Sequence, residues 1–257
     1  MLGAIAGDTI GSPYEFAPKK SMDFPLFNAQ SRFTDDTVLT IAIADVLLHD
    51  LDAVDTLKEY SIKYPDAGYG GSYQRWIYSD SREPYNSWGN GSAMRTSPIG
   101  FFLKKENEVM GAARKYAEVT HNHPEGIRGA QATSLCIFLA RHGASKNDIK
   151  NAISKCFNYD LSKTIKEIRP DYYFDVSCQG SVPQSIIAFL ESEDYEDAVR
   201  KAVSLGGDAD TMACITGGIA EAFYGPIPEE IALETKKRLP DEFLKVIDDF
   251  YDVISNK

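Results

Sequence analysis

The sequence predicts an all-α protein built as one domain over residues 1–257. Apolar residues recur with helical spacing along most of the chain, whereas the alternating pattern of strands is scarce. Hydrophobic residues make up 43% of the 257 residues, which is enough to form a sizeable core. No linker, repeat or low-complexity tract divides the chain, so a single domain is the simplest architecture.

Helical spacing places the predicted helices in order along the chain. They cover residues 35–48, 106–119, 126–142, 146–156, 183–191, 194–204, 209–224, 228–237 and 240–254. The helices over 35–48 and 209–224 are apolar on every face, which predicts that both are buried. Thr34 is expected to cap the first of them, and Pro240 separates two amphipathic helices at the end.

Three stretches are predicted to be irregular, over residues 8–33, 64–73 and 79–97. The first is rich in Pro, Phe and Lys, and the other two carry closely spaced glycines. Functional residues tend to lie on loops that a rigid scaffold holds in place. We therefore expect the functional site to draw on these stretches.

The charge and the cysteines narrow the class of protein. The net charge is −11 and the pI is near 4.9. Because no basic stripe is visible, neither nucleic acid nor an anionic membrane surface is an expected partner. The N-terminus lacks the basic region of a signal peptide, and no apolar run approaches the roughly 18 residues of a membrane span. The four cysteines form no C-x-x-C pair, so we expect a reducing, cytoplasmic compartment. A monomer is the default expectation for the oligomeric state.

Two acidic clusters each open a helix that is predicted to be buried. The first is Thr34-Asp35-Asp36-Thr37, and the second is Asp208-Ala209-Asp210-Thr211, which follows two glycines. Either cluster alone is also typical of a helix N-terminus, where Thr caps the helix and Asp favours its dipole. Together, their carboxylates and hydroxyls suit hard cations such as magnesium or manganese. They could hold two ions roughly 3.5–4 Å apart, which would relieve the repulsion among four carboxylates.

Two short sequences resemble metal motifs of other enzymes. His49-Asp50 is similar to the HD phosphohydrolase motif, but the further His and Asp partners are missing, so we interpret it as a solvated helix end. His121-Asn122-His123 is similar to zinc H-x-H sites, but no Asp-His follows and a helix begins after it. Zinc is therefore not expected.

A glycine-rich loop over residues 86–95 is predicted to run into a helix. Its glycines and small hydroxyls expose backbone N–H groups that suit an anion, and the helix dipole adds to this. Trp88 beside them offers a plane on which a base can stack. An ordinary Gly-Asn turn is the alternative.

The motifs taken in order resemble the ADP-ribosylglycohydrolase family. They are Gly7-Asp8, Gly11-Ser12-Pro13-Tyr14-Glu15, Thr34-Asp35-Asp36-Thr37, Gly68-Tyr69-Gly70, Ser87-Trp88-Gly89-Asn90-Gly91-Ser92-Ala93-Met94-Arg95, Thr120-His121, Ser181-Val182-Pro183 and Gly206-Gly207-Asp208-Ala209-Asp210-Thr211. The resemblance spans residues 3 to about 225. It implies a compact orthogonal helical bundle with two magnesium or manganese ions.

The resemblance also implies roles for single residues. The metal ligands would be Thr34, Asp35, Asp36, Asp208, Asp210 and Thr211, with Asp210 as the bridge between the ions. The catalytic residues would be Glu15, Asp35 and Asp208. The substrate would contact Ser87, Trp88, Gly89, Asn90, Gly91 and His121 through its diphosphate and adenosine, and Gly70 near its distal ribose. Residues 13–33 and 157–182 would line the leaving-group side.

The activity implied by the resemblance is hydrolysis of the glycosidic bond between ADP-ribose and an acceptor. The acceptor would be a protein side chain of the arginine or serine type. Two alternatives remain open: a hydrolase of a free conjugate such as ADP-ribose 1″-phosphate, and a non-catalytic protein that binds ADP-ribose. The non-catalytic alternative predicts lost ligands, and both acidic clusters and Glu15 are present.

Overall fold

A computed structural model of the protein describes residues 1–256, and helices account for most of them. The helices are α1 (Leu2–Gly11), α2 (Asp35–His49), α3 (Ala53–Lys63), α4 (Gly71–Ile77), α5 (Gly91–Met94), α6 (Ser97–Phe102), α7 (Glu106–Glu118), α8 (Pro124–Arg141), α9 (Lys146–Phe157), α10 (Ile165–Ile168), α11 (Cys178–Leu190), α12 (Tyr195–Val203), α13 (Ala209–Tyr224), α14 (Glu229–Lys236) and α15 (Asp241–Ser255). Within residues 1–256 strand pairing is limited to one isolated bridge, between Gly89 and Ser177. The all-α prediction is confirmed.

The two most intimately packed helices are α1 and α13, which run antiparallel at the centre of the fold. Gly3, Gly7 and Gly11 recur every four residues on one face of α1 and lie against the backbone of α13. A Cβ atom on Gly7 would lie 2.0 Å from the carbonyl oxygen of Ala213, and one on Gly11 would lie 2.4 Å from that of Ala209. Only glycine permits this approach, which brings the end of α1 beside the start of α13.

Two further helices complete the core around this pair. Helix α2 is buried from Asp36 to Ala44 and packs against α3, α6 and α15. Helix α8 packs against α7, α11 and α13. The prediction that the helices over 35–48 and 209–224 are buried is confirmed, since α13 is buried from Ala209 to Glu221.

The helices differ from the sequence-based predictions mainly in where they begin. The pattern begins a helix at 183, but α11 begins at Cys178, with the Ser177 side chain accepting from the Gly180 amide, and Pro183 lies inside the helix. The prediction that 8–33 is irregular is wrong over residues 8–11, which belong to α1. Helix α3 was not predicted at all.

The cysteines and the apolar stretches agree with the expectations. All four cysteines are free, and Cys136 and Cys214 are buried in the core. Within residues 1–256, no helix combines the length and the apolar character needed to cross a membrane.

Candidate active site

The first turns of α2 and α13 meet in the interior. The Thr211 hydroxyl donates to Asp36 Oδ2 over 3.1 Å, although the two residues are 175 positions apart in the sequence. The other oxygen of that carboxylate, Asp36 Oδ1, is buried and has no hydrogen-bond partner among residues 1–256. An orphaned carboxylate oxygen at this depth fits a cation ligand.

Helix capping accounts for only part of the two clusters. The Thr34 side chain accepts from the Asp36 amide and does cap α2. Asp208 stands at the N-cap of α13, but its side chain makes no capping hydrogen bond. Its Oδ2 instead accepts from Asn90 Nδ2 over 2.7 Å. Asp208 therefore faces the glycine-rich loop rather than its own helix.

Asp8 lies behind the first cluster and holds it in place. It is fully buried on α1. Its Oδ1 accepts from the Thr34 hydroxyl over 2.7 Å, and its Oδ2 accepts from the amides of Thr34 and Thr37 over 2.9 and 3.1 Å and from the Thr37 hydroxyl. Burial raises the pKa of Asp8, and these hydrogen bonds oppose that rise. Asp8 belongs to the motif Gly7-Asp8, for which the sequence predicted no role.

Glu15 reaches the second cluster from the turn that follows α1. A 3-10 turn over Ser12–Tyr14 continues α1, so Glu15 emerges beside the start of α13. Glu15, Asp208 and Asp210 each offer a carboxylate oxygen, and these oxygens lie within 4.8 Å of one another. No other group of three such ligands is found in residues 1–256. This geometry suits a divalent cation.

The convergence of carboxylates is visible in their proton affinities. Burial, with Asp210 nearby, raises the pKa of Glu15 to about 8. Burial raises the pKa of Asp208 to about 6, and the Asn90 hydrogen bond opposes this. Burial and the neighbouring carboxylates also raise the pKa of Asp35, Asp36 and Asp210 well above the ordinary range. A bound cation would remove this repulsion.

The acidic groups line one cavity together with the glycine-rich loop. The cavity has a volume of about 430 Å³. Sequence-predicted residues in its wall are Glu15, Asp35, Asp36, Gly70, Ser87, Gly89, Asn90, Gly91, His121, Asp208, Asp210 and Thr211. Two predicted residues are not in the wall. Thr34 is turned to Asp8, and the exposed Trp88 packs edge-on against His123 with ring centroids 5.7 Å apart.

Backbone contacts with the segment before α11 fix the glycine-rich loop. The Asn90 amide donates to the Val176 carbonyl over 2.7 Å, and the Cys178 amide donates to the Trp88 carbonyl over 2.9 Å. Asn86 adopts a left-handed conformation at the start of the loop. The loop leads into α5, a single turn of four residues. The Asn90 side chain links this loop to Asp208.

His121 is buried beside the glycines of this loop. A Cβ atom on Gly91 would lie 3.3 Å from His121 Nε2, and one on Gly89 would lie 3.6 Å from it. The other ring nitrogen, Nδ1, lies 2.7 Å from the Thr120 hydroxyl. Burial, with Arg95 nearby, lowers the pKa of His121 well below its ordinary value, so the ring is neutral. The helix that follows, α8, is capped by His123 and not by His121.

The motif Gly68-Tyr69-Gly70 lies near Asp35. Gly68 adopts a positive φ of 103°, and a Cβ atom there would lie 3.7 Å from Asp35 Oδ1. Gly70 caps α4 and lines the cavity. Tyr69 is buried and stacks on Tyr73 with ring centroids 5.5 Å apart. Tyr69 therefore has a packing role.

Three wall residues have features that sequence analysis did not find. Arg95 is fully buried and forms no ion pair within residues 1–256. Phe16 and Phe174 are exposed by 81% and 41%, and their ring centroids lie 6.0 Å apart. Phe16 and Phe174 each lie in a stretch that was expected on the leaving-group side. That was the only feature of the sequence that pointed to these two residues.

The two rival metal motifs lack the geometry of a site. His49 is exposed, and its Nδ1 lies 2.8 Å from Asp45 Oδ1 one turn earlier on α2. His123 Nδ1 accepts from the Glu125 amide and caps α8. Both roles agree with the interpretation that neither motif binds metal.

Fold and cavity together define an all-α protein with a buried acidic site suited to hard cations. The chain belongs to the ADP-ribosylglycohydrolase family, whose model matches residues 1–257. A solved structure titled "ADP-ribosylglycohydrolase-related protein complex" shares the fold, with a TM-score of 0.73 at 23% identity. The alignment covers 98% of this chain and 97% of that one.

Curated relatives span the same region. The human protein named "ADP-ribosylhydrolase ARH3" is 25% identical, over 89% of this chain and 86% of its own length. "ADP-ribosylarginine hydrolase Tri1" of Pseudomonas putida is 23% identical, over 88% of this chain and 69% of its own length. An uncharacterized protein of Archaeoglobus fulgidus is 26% identical, over 95% of this chain and 92% of its own length.

Proposed function

We propose that the protein is a metal-dependent hydrolase that cleaves the glycosidic bond between ADP-ribose and an acceptor side chain and releases ADP-ribose. One observation carries the proposal: five carboxylates converge in a cavity that is also lined by a glycine-rich loop and a neutral histidine. The acidic part suits cations and a ribose, and the loop suits a diphosphate. The names of the human and P. putida relatives support an ADP-ribosyl substrate.

The proposed cofactor is a pair of magnesium or manganese ions. Thr34, Asp35, Asp36, Asp208, Asp210 and Thr211 would hold them. The unpartnered Asp36 Oδ1 and the raised pKa values of the carboxylates support this assignment. When bound, such ions supply Lewis acidity to the ribose hydroxyls and to water.

The chain's own carboxylates serve the reaction in distinct ways. Cleavage of a glycosidic bond passes through a transition state with oxocarbenium character, and the negative wall of the cavity stabilises its positive charge. We assign Glu15 as the group that gives or takes the proton at the leaving atom. Asp208 orients the attacking water together with Asp35, and the Asn90 amide holds its carboxylate in place.

The rest of the cavity would bind the nucleotide. Ser87, Gly89, Gly91 and His121 would contact the diphosphate, since the loop and the ring line the same wall. Asn90 would contact the substrate from the glycine-rich loop and also hold Asp208 of the acidic cluster through its side chain. Trp88 would stack on the adenine, and Gly70 would lie near the distal ribose. We further propose that the protein is a monomer and works in the cytoplasm, since free cysteines suit a reducing compartment.

A substrate panel tests this function. Purified protein is incubated with an arginine-linked conjugate, a serine-linked conjugate and ADP-ribose 1″-phosphate, and free ADP-ribose is measured. Release from a side-chain conjugate is the expected result. Release from ADP-ribose 1″-phosphate alone would show that the substrate is a free conjugate and not a protein side chain. Binding of ADP-ribose without any release would support the non-catalytic alternative.

A further inference from the structure

Arg95 is a cation without a counter-ion in the wall of the cavity. Its side chain is fully buried, and its Nε and Nη1 atoms have no hydrogen-bond partner among residues 1–256. Its Nη2 atom donates to the Tyr116 carbonyl and to the Thr120 hydroxyl oxygen, each over 2.9 Å. Burial of an unpaired charge lowers the stability of the folded protein. The fold therefore keeps this cation at a cost in the free energy of unfolding.

Thr120 joins this cation to His121. The Thr120 oxygen lies 2.7 Å from His121 Nδ1 and also accepts from Arg95. A hydroxyl has one hydrogen and two lone pairs. With one lone pair taken by Arg95, the single hydrogen of Thr120 can point to His121 Nδ1. In the reverse arrangement, the second lone pair of Thr120 would accept from an Nδ1–H group.

The charge of Arg95 favours this direction of the hydrogen bond over the reverse. A cation polarises the hydroxyl that accepts from it, which makes that hydroxyl a better donor. The reverse arrangement would turn an N–H group of the imidazole toward the same cation. Nδ1 therefore accepts, and in a neutral ring the hydrogen lies on Nε2. Nε2 is the atom that faces Gly89 and Gly91.

We propose that Arg95 and Thr120 are positioning residues, which fix His121 as the neutral Nε2–H tautomer so that it donates to an anionic group held by residues 87–91. The identity of that group as the diphosphate of ADP-ribose rests on the proposed function. Arg95 also places positive charge behind the histidine, which adds a long-range attraction for the anion. His121 is then a donor without itself carrying charge.

The other histidines provide internal references for an NMR test. His142 Nδ1 lies 2.7 Å from the Phe138 carbonyl, which only accepts, so a neutral His142 carries its hydrogen on Nδ1. His123 Nδ1 accepts from a backbone amide, so a neutral His123 carries its hydrogen on Nε2. Two-bond ¹H–¹⁵N spectra of the ¹⁵N-histidine-labelled protein distinguish these tautomers. We expect His121 to match the His123 pattern, and an Nδ1–H pattern or an imidazolium would overturn the proposal.

Two variants separate positioning from packing. Thr120→Val keeps the shape of the side chain and removes the hydroxyl, whereas Thr120→Ser keeps the hydroxyl. In the valine variant we expect a mixture of tautomers and a loss of roughly tenfold in ADP-ribose affinity by calorimetry. The serine variant should restore both. A folded valine variant with the wild-type tautomer and wild-type affinity would refute the positioning role.

The ligand titration keeps this inference distinguishable from the function itself. Saturation of the metal-loaded wild type with ADP-ribose should shift the His121 Nε2–H proton, because that proton gains a charged acceptor. An unmoved signal in a saturated protein would contradict the donor role. A protein that does not bind ADP-ribose would refute the proposed function, whereas the tautomer is determined without ligand.

Discussion

The Thr34 hydroxyl donates its hydrogen to Oδ1 of Asp8 over 2.7 Å, from the N-cap of α2 to the middle of α1. That hydrogen therefore points away from the site, and the same oxygen accepts from the Asp36 amide. One lone pair of Thr34 remains for a cation. Asp8 would therefore act on the proposed metal site through Thr34 and Thr37, without being a ligand itself.

Replacement of Asp8 by Asn should weaken metal binding. The amide offers two hydrogens to partners that are all donors, so Thr34 and Thr37 lose their alignment. Loss of such a supporting contact typically lowers metal affinity about 10- to 100-fold. Calorimetric titration with Mn²⁺ measures this metal affinity. Asp66→Asn on the surface is the matched control, and wild-type affinity in a folded Asp8→Asn protein would disprove the role.

Metal-free protein should lose stability as the pH rises. A carboxyl group whose pKa is raised by folding stays protonated in the folded chain where the unfolded chain is ionised. The folded chain then binds more protons, and its free energy of unfolding falls with increasing pH. For Glu15 the window runs from its ordinary value of 4.5 to about 8, and for Asp208 from 3.8 to about 6.

Thermal unfolding in excess chelator measures this dependence. Tm should fall between about pH 6 and pH 8. In the Glu15→Gln variant the fall should be smaller, because the glutamine does not titrate. Saturating Mg²⁺ should raise Tm most at the higher pH, since metal competes with protons for the ligands. An equal fall in wild type and Glu15→Gln would show that Glu15 is not among the responsible groups.

Replacement of Gly7 by Ala should destabilise the fold. The added methyl group would overlap the backbone of Ala213, and no flexible side chain can move aside. Overpacking of this kind costs about 1–3 kcal/mol or more in the free energy of unfolding. Gly111→Ala, at an exposed position of α7, is the control, because no packed neighbour lies within 4 Å of its Cβ position. That change should stabilise by up to about 1 kcal/mol, and equal urea midpoints for the two variants would contradict the packing.

Phe16 is predicted to contact the acceptor. Its exposed ring meets Phe174 and lines the cavity with Glu15, on the side where the proposed leaving group would depart. Phe16→Ala should raise KM for a protein-linked conjugate by roughly threefold to tenfold and leave kcat nearly unchanged. Tyr78→Ala is the control, since Tyr78 is exposed by 66% and lies outside the cavity. An unchanged KM would place the acceptor elsewhere.

The all-α class was predictable because helical spacing recurs in the longest segments. Helix α1 escaped prediction for a physical reason. All ten of its residues are buried, so it shows no contrast between a polar and an apolar face. Asp8 is the single charged residue of this buried helix. Its partners Thr34 and Thr37 are 26 and 29 positions away, and only the fold brings them together.

Helix α11 and Arg95 show two other limits of sequence reasoning. The helix was predicted to begin at Pro183, but it begins five residues earlier, at Cys178, so Pro183 lies inside it. The carbonyl that it leaves unbonded belongs to Gln179, an exposed residue, so water can satisfy it. Arg95 belongs to a quoted motif, but its burial without a counter-ion depends on packing that the sequence does not display.

Metal dependence of ADP-ribose release tests the central claim most directly. Release from the best conjugate in the panel is measured with Mg²⁺ or Mn²⁺, with excess chelator, and for Asp210→Asn in the presence of metal. Asp210 combines a buried carboxylate with a place in the cluster of Glu15 and Asp208. We predict release by the metal-loaded wild type alone. A wild-type rate in chelator, or a wild-type rate and metal affinity in Asp210→Asn, would contradict the account.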